Sequence, residues 1–366
     1  MDFDFPPDTL MLRDLLRRFI QKEARPLEMK YFNTGALTPA ERAHLRSAIE
    51  QLGLWGVTVP EKFGGGGLDT VTACLIEEEL GHTIIPVELG DIPPLLFACA
   101  GEQIQRFLEP ALAGERHCLI AAREPRALRP AIWTTTATAD GDDFNLAGRK
   151  ALAALPGPDD FFVVFAKTPE GLTAFLLAAS HAGASAAANG EIILTLRECR
   201  VGREAMLGAP GGALKLGAAE APRAWIRAGA RYVGLAERLI EMGLEHAKEW
   251  VSLGAPLAAR PAIQRTLAEM RASVESARWL VYHAAWLADK GEAVREVAAE
   301  VRLFTGQMLQ RAIDQATMLY TGPGPSPQIE PRRLARSVVE PDALNIGLEY
   351  AWTVVAAEML AADNGR

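Results

Sequence analysis

The chain is poor in cysteine and carries no excess of positive charge, and each shortage excludes something. Its four cysteines, Cys74, Cys99, Cys118 and Cys199, are far apart and form no Cys-x-x-Cys pair. That spacing suits a reduced cytoplasmic protein and argues against a metal site. With 38 Lys and Arg against 46 Asp and Glu, the net charge is −8, so no basic surface is on offer to nucleic acid. The charges fall as helix-face pairs rather than blocks, the pattern of a solvated surface. No apolar run reaches the roughly 18 residues that a membrane span needs. The first residues, Met1 to Pro7, are acidic and do not read as a signal peptide. Gly64 to Gly67 are four consecutive glycines without a following Gly-Lys-Ser/Thr, so they supply freedom for a tight turn rather than a phosphate loop. No internal repeat or low-complexity segment is visible.

What is present is length and hydrophobicity. The 366 residues are enough for two or three domains, and 49% hydrophobic content rich in Ala and Leu favours a mainly helical protein. Helical periodicity runs from about Thr9 to His117, with Leu10, Leu12, Leu15, Leu16 and Phe19 on one face, a break at Pro26 and a second helix over Ala43–Gly53. Between Cys118 and Leu216 the period changes to two. Strands are expected at Ile132–Ala137, Phe144–Ala147, Phe161–Ala166, Thr173–Ala178 and Glu191–Leu196, as in a small antiparallel barrel or sandwich. Four amphipathic stretches then suggest a four-helix bundle: Trp225–Val251, Ala262–Lys290, Val294–Leu319 and Pro341–Ala362. The fold expected is therefore α+β, mainly α. Residues 1–117 form a helical domain, 118–216 a β domain and 217–366 a bundle.

This order, with the motifs inside it, resembles the acyl-CoA dehydrogenase family. Leu52-Gly53-Leu54-Trp55-Gly56, Pro60 with Phe63-Gly64-Gly65 and Gly67, and Glu78-Glu79-Leu80-Gly81 look like the family's N-terminal motifs. Gln103 to Glu115 is similar to its Gln-x-x-x-Tyr-Leu-Pro segment, Glu124-Pro125 to its Thr-Glu-Pro, and Val233-Gly234-Leu235-Ala236 to a bundle motif. The resemblance implies FAD as cofactor, an acyl-CoA thioester as substrate and α,β-desaturation as reaction.

Against that pattern, the departures fall on chemistry. Asn345 stands where the resemblance places the catalytic glutamate, nine residues after Arg336. The alternative base position, on the first bundle helix, holds Ala224, beside Trp225. An amide cannot accept a proton near neutral pH. The nearest carboxylates, Glu220, Glu340 and Glu349, read as helix-surface charges or weak substitutes. The Thr-Glu-Pro-Gly-Ser-Asp stretch that bonds the flavin becomes Arg123-Glu124-Pro125-Arg126-Ala127-Leu128-Arg129-Pro130, without a hydroxyl. After Gly148-Arg149-Lys150, Leu152 and Ala154 replace Trp and Thr, and cannot reach a flavin's polar edge. Trp250 replaces the arginine that grips a neighbouring subunit's pyrophosphate, and Pro261 the glutamine that follows. Gly254, Gly322 and Gly324 persist from those cofactor motifs, and Arg123 and Arg129 are added cations that could meet a phosphate.

The reading favoured is a degenerate subunit of a hetero-oligomeric acyl-CoA dehydrogenase, inactive alone and partnered by a catalytic homologue. Its alternatives are a flavoenzyme with altered chemistry or a relocated base, and a flavin-free acyl-CoA-binding or scaffold protein. Trp225, Trp250, Trp279, Trp286, Leu303, Phe304 and Met308 exceed what one bundle seam needs, so some are expected at a contact with a second chain.

Overall fold

The computed structural model describes residues 5–125, 130–181, 183–186, 192–320, 331 and 348–363. Helices α1 (Pro7–Phe19), α2 (Glu28–Thr34), α3 (Pro39–Gln51) and α4 (Thr70–Leu80) and the short α5 (Glu109–Leu112) come first. Eight strands follow: β1 (Cys118–Ala121), β2 (Thr136–Asp140), β3 (Asp143–Leu152), β4 (Phe161–Thr168), β5 (Gly171–Ala178), β6 (Gly183–Ala186), β7 (Ile192–Val201) and β8 (Met206–Leu207). Then come α6 (Ala213–Glu249), a hairpin of β9 (Val251–Ser252) and β10 (Ala255–Pro256), α7 (Pro261–Asp289), α8 (Arg295–Leu319) and α9 (Leu348–Asp363). The molecule is mainly helical with a central sheet, as expected. It divides into two compact units. One holds the described parts of Met1–Leu89, Pro222–Glu340 and Ala351–Arg366; the other holds those of Gly90–Ala221 and Pro341–Tyr350.

In the helical unit, Leu16, Phe19 and Ile20 from the first segment pack with Leu45, Ile49, Ile76 and Leu80. Thr38 and Glu41 start α3 with a reciprocal capping box. Asp69 caps α4 by accepting from Thr72 N–H, and Asp289 at the end of α7 takes the amides of Thr70 and Val71 at 2.7 and 3.0 Å. These bonds satisfy N–H groups that a helix start leaves orphaned. Pro26 does not end the first segment as the sequence suggested. A π turn (Ile20–Ala24) and a 3-10 turn (Arg25–Leu27) carry the chain into α2, with Pro26 in the first positions of the latter, where its missing N–H is tolerated. α6 likewise starts well before Trp225 and contains Pro222. Two glycines set the spacing of α4 and α6. A Cβ on Gly234 would fall 1.8 Å from the Glu78 carbonyl oxygen, and one on Gly81 would fall 2.4 Å from that of Arg231.

The sheet of the other unit runs β6-β7-β3-β2-β4-β5-β8, with β1 added on β4. Most neighbours are antiparallel. Two pairings correct the expectation of a wholly antiparallel domain: β1 lies parallel to β4, and β2 meets β4 in parallel at Thr136 and Lys167. Such pairings join strands separated by long connections, which local periodicity does not report. β2 begins at Thr136 rather than Ile132 because Pro130–Ile132 forms a 3-10 turn. Phe161 to Ala166 are all buried, as in a strand covered on both faces. Among the described residues no helix is long and apolar enough to cross a membrane.

Candidate functional site

The β unit gathers one buried polar cluster, at the Glu-Pro and Gly-x-Lys motifs. β1 delivers the chain through Ala122 to Glu124, and β3 carries Lys150. Neither side chain is accessible: Glu124 is 5% exposed and Lys150 0%. One Glu124 carboxylate oxygen, Oε2, accepts from the Thr134 amide (2.7 Å) and the Thr134 hydroxyl (3.0 Å). Its other oxygen accepts from the Thr135 amide (2.7 Å) and from Lys150 Nζ (3.3 Å). Lys150 Nζ donates in addition to the Ala122 carbonyl at 2.9 Å and lies 4.8 Å from the centre of the Trp133 ring. A buried charge survives only when its partners replace the lost water, and here they do.

The electrostatics follow the donors. Burial works against the Glu124 anion, yet hydrogen bonds from Thr135 and Thr134 and the Lys150 charge outweigh it and hold the carboxyl at about 2. Burial lowers Lys150 to about 8, with Glu124 opposing that fall. Thr135 Oγ1 is buried without a hydrogen-bond partner among the described residues. Gly148 presses on it, since a Cβ there would come within 2.5 Å of that oxygen.

Of the residues singled out in the sequence and described in the structure, Arg123 belongs to the β unit, and Ala224 and Gly254 to the helical unit. Arg123 adjoins the cluster and is half-buried, its carbonyl accepting from the Ala151 amide at 2.9 Å. Leu152 is buried at the end of β3, and Ala154 is exposed in the bend beyond. Ala224 sits half-buried on α6 next to the buried Trp225. Gly254 occupies the β9–β10 turn at φ +80°, after Leu253, which is strained at φ +53° and 94% exposed. Glu220 and Glu349 lie on α6 and α9, but their side chains fall outside the described residues, as do Arg129, Gly322, Gly324, Glu340 and Asn345 entirely.

The stretch from Arg123 to Pro130 does lack hydroxyls. Thr134 and Thr135, ten and eleven residues after Glu124, bring theirs to the cluster instead, a placement that motif matching along the chain could not show. Thr134 donates its hydroxyl to Glu124 and Lys150 is sealed in, so neither of these fits the role of donor to a flavin ring, whereas the buried Thr135 hydroxyl has no partner among the described residues.

Sequence models of two domains match the chain: "Acyl-CoA dehydrogenase, N-terminal domain" over residues 6–115 and "Acyl-CoA dehydrogenase, C-terminal domain" over residues 223–339. The (R)-benzylsuccinyl-CoA dehydrogenase of Thauera aromatica is 28% identical, covering 92% of each chain. The 3-(aryl)acrylate reductase of Clostridium sporogenes is 26% identical, covering 97% of each. Among solved structures, butyryl-CoA dehydrogenase from Megasphaera elsdenii superimposes with a TM-score of 0.81 at 24% identity, over 98% of this chain and 100% of that one. The last likeness is one of fold.

Proposed function

Because the chain belongs to the acyl-CoA dehydrogenase family, we propose that it is the non-base-bearing subunit of a hetero-oligomeric, FAD-dependent acyl-CoA dehydrogenase. A homologous catalytic subunit would carry out the α,β-desaturation of the acyl-CoA thioester. The observation that carries this reading is the cluster at Glu124, where the Glu124 carboxylate, the Thr134 hydroxyl and the Lys150 ammonium are all bonded within the chain and only the buried Thr135 hydroxyl lacks a partner among the described residues. The base positions point the same way, since Ala224 and Asn345 offer no carboxylate. In this reading residues 1–117, 118–216 and 217–366 keep the family's three-part organisation as a scaffold.

A contact surface for the partner is available on the helical unit. Trp279, Trp286 and Phe304, on α7 and α8, are 54%, 40% and 41% exposed, whereas Trp225 and Met308 are buried. Exposed large aromatics suit a protein–protein contact. The test is the absorption spectrum of the protein purified alone and then together with a dehydrogenase encoded beside it. A flavin band that requires the neighbour is expected. A stoichiometric band in the protein alone, with turnover on an artificial acceptor, would overturn the proposal.

A further inference from the structure

Away from the Glu124 cluster, the β unit holds a cleft of about 520 Å3, within the size range of small-molecule sites. Its lining includes the buried apolar residues Phe107, Leu176 and Leu177. Its shape is fixed by Gln103, whose amide accepts from Ala100 N–H (3.2 Å) and donates to the carbonyls of Glu204 (2.6 Å) and Met206 (2.8 Å). These bonds tie the π turn at Ile104–Leu108 to β8 and preform the cleft.

The charges on its rim divide into two kinds. Arg200 is neutralised by Asp143 at 2.8 Å, and the His181 ring is engaged by Ser180 at 3.3 Å. Arg106, Glu102 and Glu204 have no ion-pair or side-chain hydrogen-bond partner among the described residues. The Phe107 ring lies 5.3 Å from the Arg106 guanidinium. A simple carboxylic acid would face two uncompensated carboxylates here, and a simple amine would face the arginine. A ligand bearing both charges over an apolar body meets neither penalty. We propose that this cleft binds an α-amino acid with an apolar side chain. Its carboxylate pairs with Arg106, its ammonium with Glu102 or Glu204, and its side chain rests on Phe107.

Isothermal titration of the full chain with L-phenylalanine, N-acetyl-L-phenylalanine and L-phenylalaninamide tests this directly. Saturable binding of phenylalanine is expected, with each single-charge derivative weaker by roughly tenfold or more, the scale of one charged hydrogen bond. Arg106→Gln should weaken phenylalanine to a similar degree and leave phenylalaninamide unchanged. Because Arg106 is exposed, the variant should keep its Tm. The absence of saturable heat at the solubility limit overturns the proposal. So does equal affinity for the three compounds, or an Arg106→Gln variant that binds phenylalanine like the parent.

Discussion

Two glutamates, one in each unit, shift in opposite directions although burial raises both. Glu124, buried in the β unit, is held at about 2, while Glu78, half-buried in the helical unit, is raised. Both have cationic partners. Glu78 accepts from Arg278 Nε at 2.9 Å and from Tyr282 Oη at 3.0 Å, but burial dominates, and the nearby Glu237 charge adds to the rise. Glu124 has four donors on its two oxygens, two of them backbone amides that cannot move away. Fixed donors accompany the charge that is better tolerated, whereas an ion pair is present in both cases.

The comparison breaks most visibly at Lys150. Lys150→Met leaves the Glu124 anion buried and short of its countercharge, and should destabilise by about 3–5 kcal/mol, read as a lowered Tm and urea midpoint. Tyr282→Phe, which removes a donor from Glu78, should have a smaller effect, about 0.5–1.5 kcal/mol, because Glu78 is already disposed to take up a proton and become neutral. A loss as large as that of Lys150→Met would show that Glu78 is as firmly ionised as Glu124.

Acid sharpens the contrast. The folded-state pKa of Glu124 is depressed, so its contribution is fully present above the unfolded value near 4.3 and is lost as pH falls toward about 2. For Glu78 the folded value is raised, so its ionisation weakens the fold just above the usual carboxylate range and protonation relieves that strain as pH falls. Urea midpoints between pH 2 and 6 should therefore show Glu124→Gln removing part of the parent's acid sensitivity. Glu78→Gln should remove an opposing, stabilising response to acid. As the smallest effect, Arg265→Gln severs only an exposed pair with Glu269 one helical turn away and should shift stability by less than about 0.5 kcal/mol.

Much of the fold was legible in the residues. The change from helical to two-residue period at Cys118 and back again marks the sheet, because alternating or continuous apolar runs can be read locally. β4 and β5 were found nearly whole, since Phe161 to Ala166 and Leu172 to Leu177 are continuous buried runs. β1, β6 and β8 were missed because runs of two to four residues carry too little pattern. The candidate site was less legible. Glu124 and Lys150 stood out only as motif letters, and nothing in their spacing shows that they share a hydrogen-bonded pair with two threonines.

By itself the sequence determined the class of fold, the family and the identities at the two positions where the resemblance places a base, because those depend on residue type and order along the chain. Asn345 and Ala224 lack a carboxylate in any conformation. Only the tertiary structure decided what the remaining polar groups do. Whether Thr134 presents a hydroxyl to a ligand or gives it to Glu124, and whether Lys150 faces water or is sealed beside Trp133, depends on strands brought together from distant positions. Burial and hydrogen-bond geometry are properties of that packing, and they fix the charge state of each group where composition cannot.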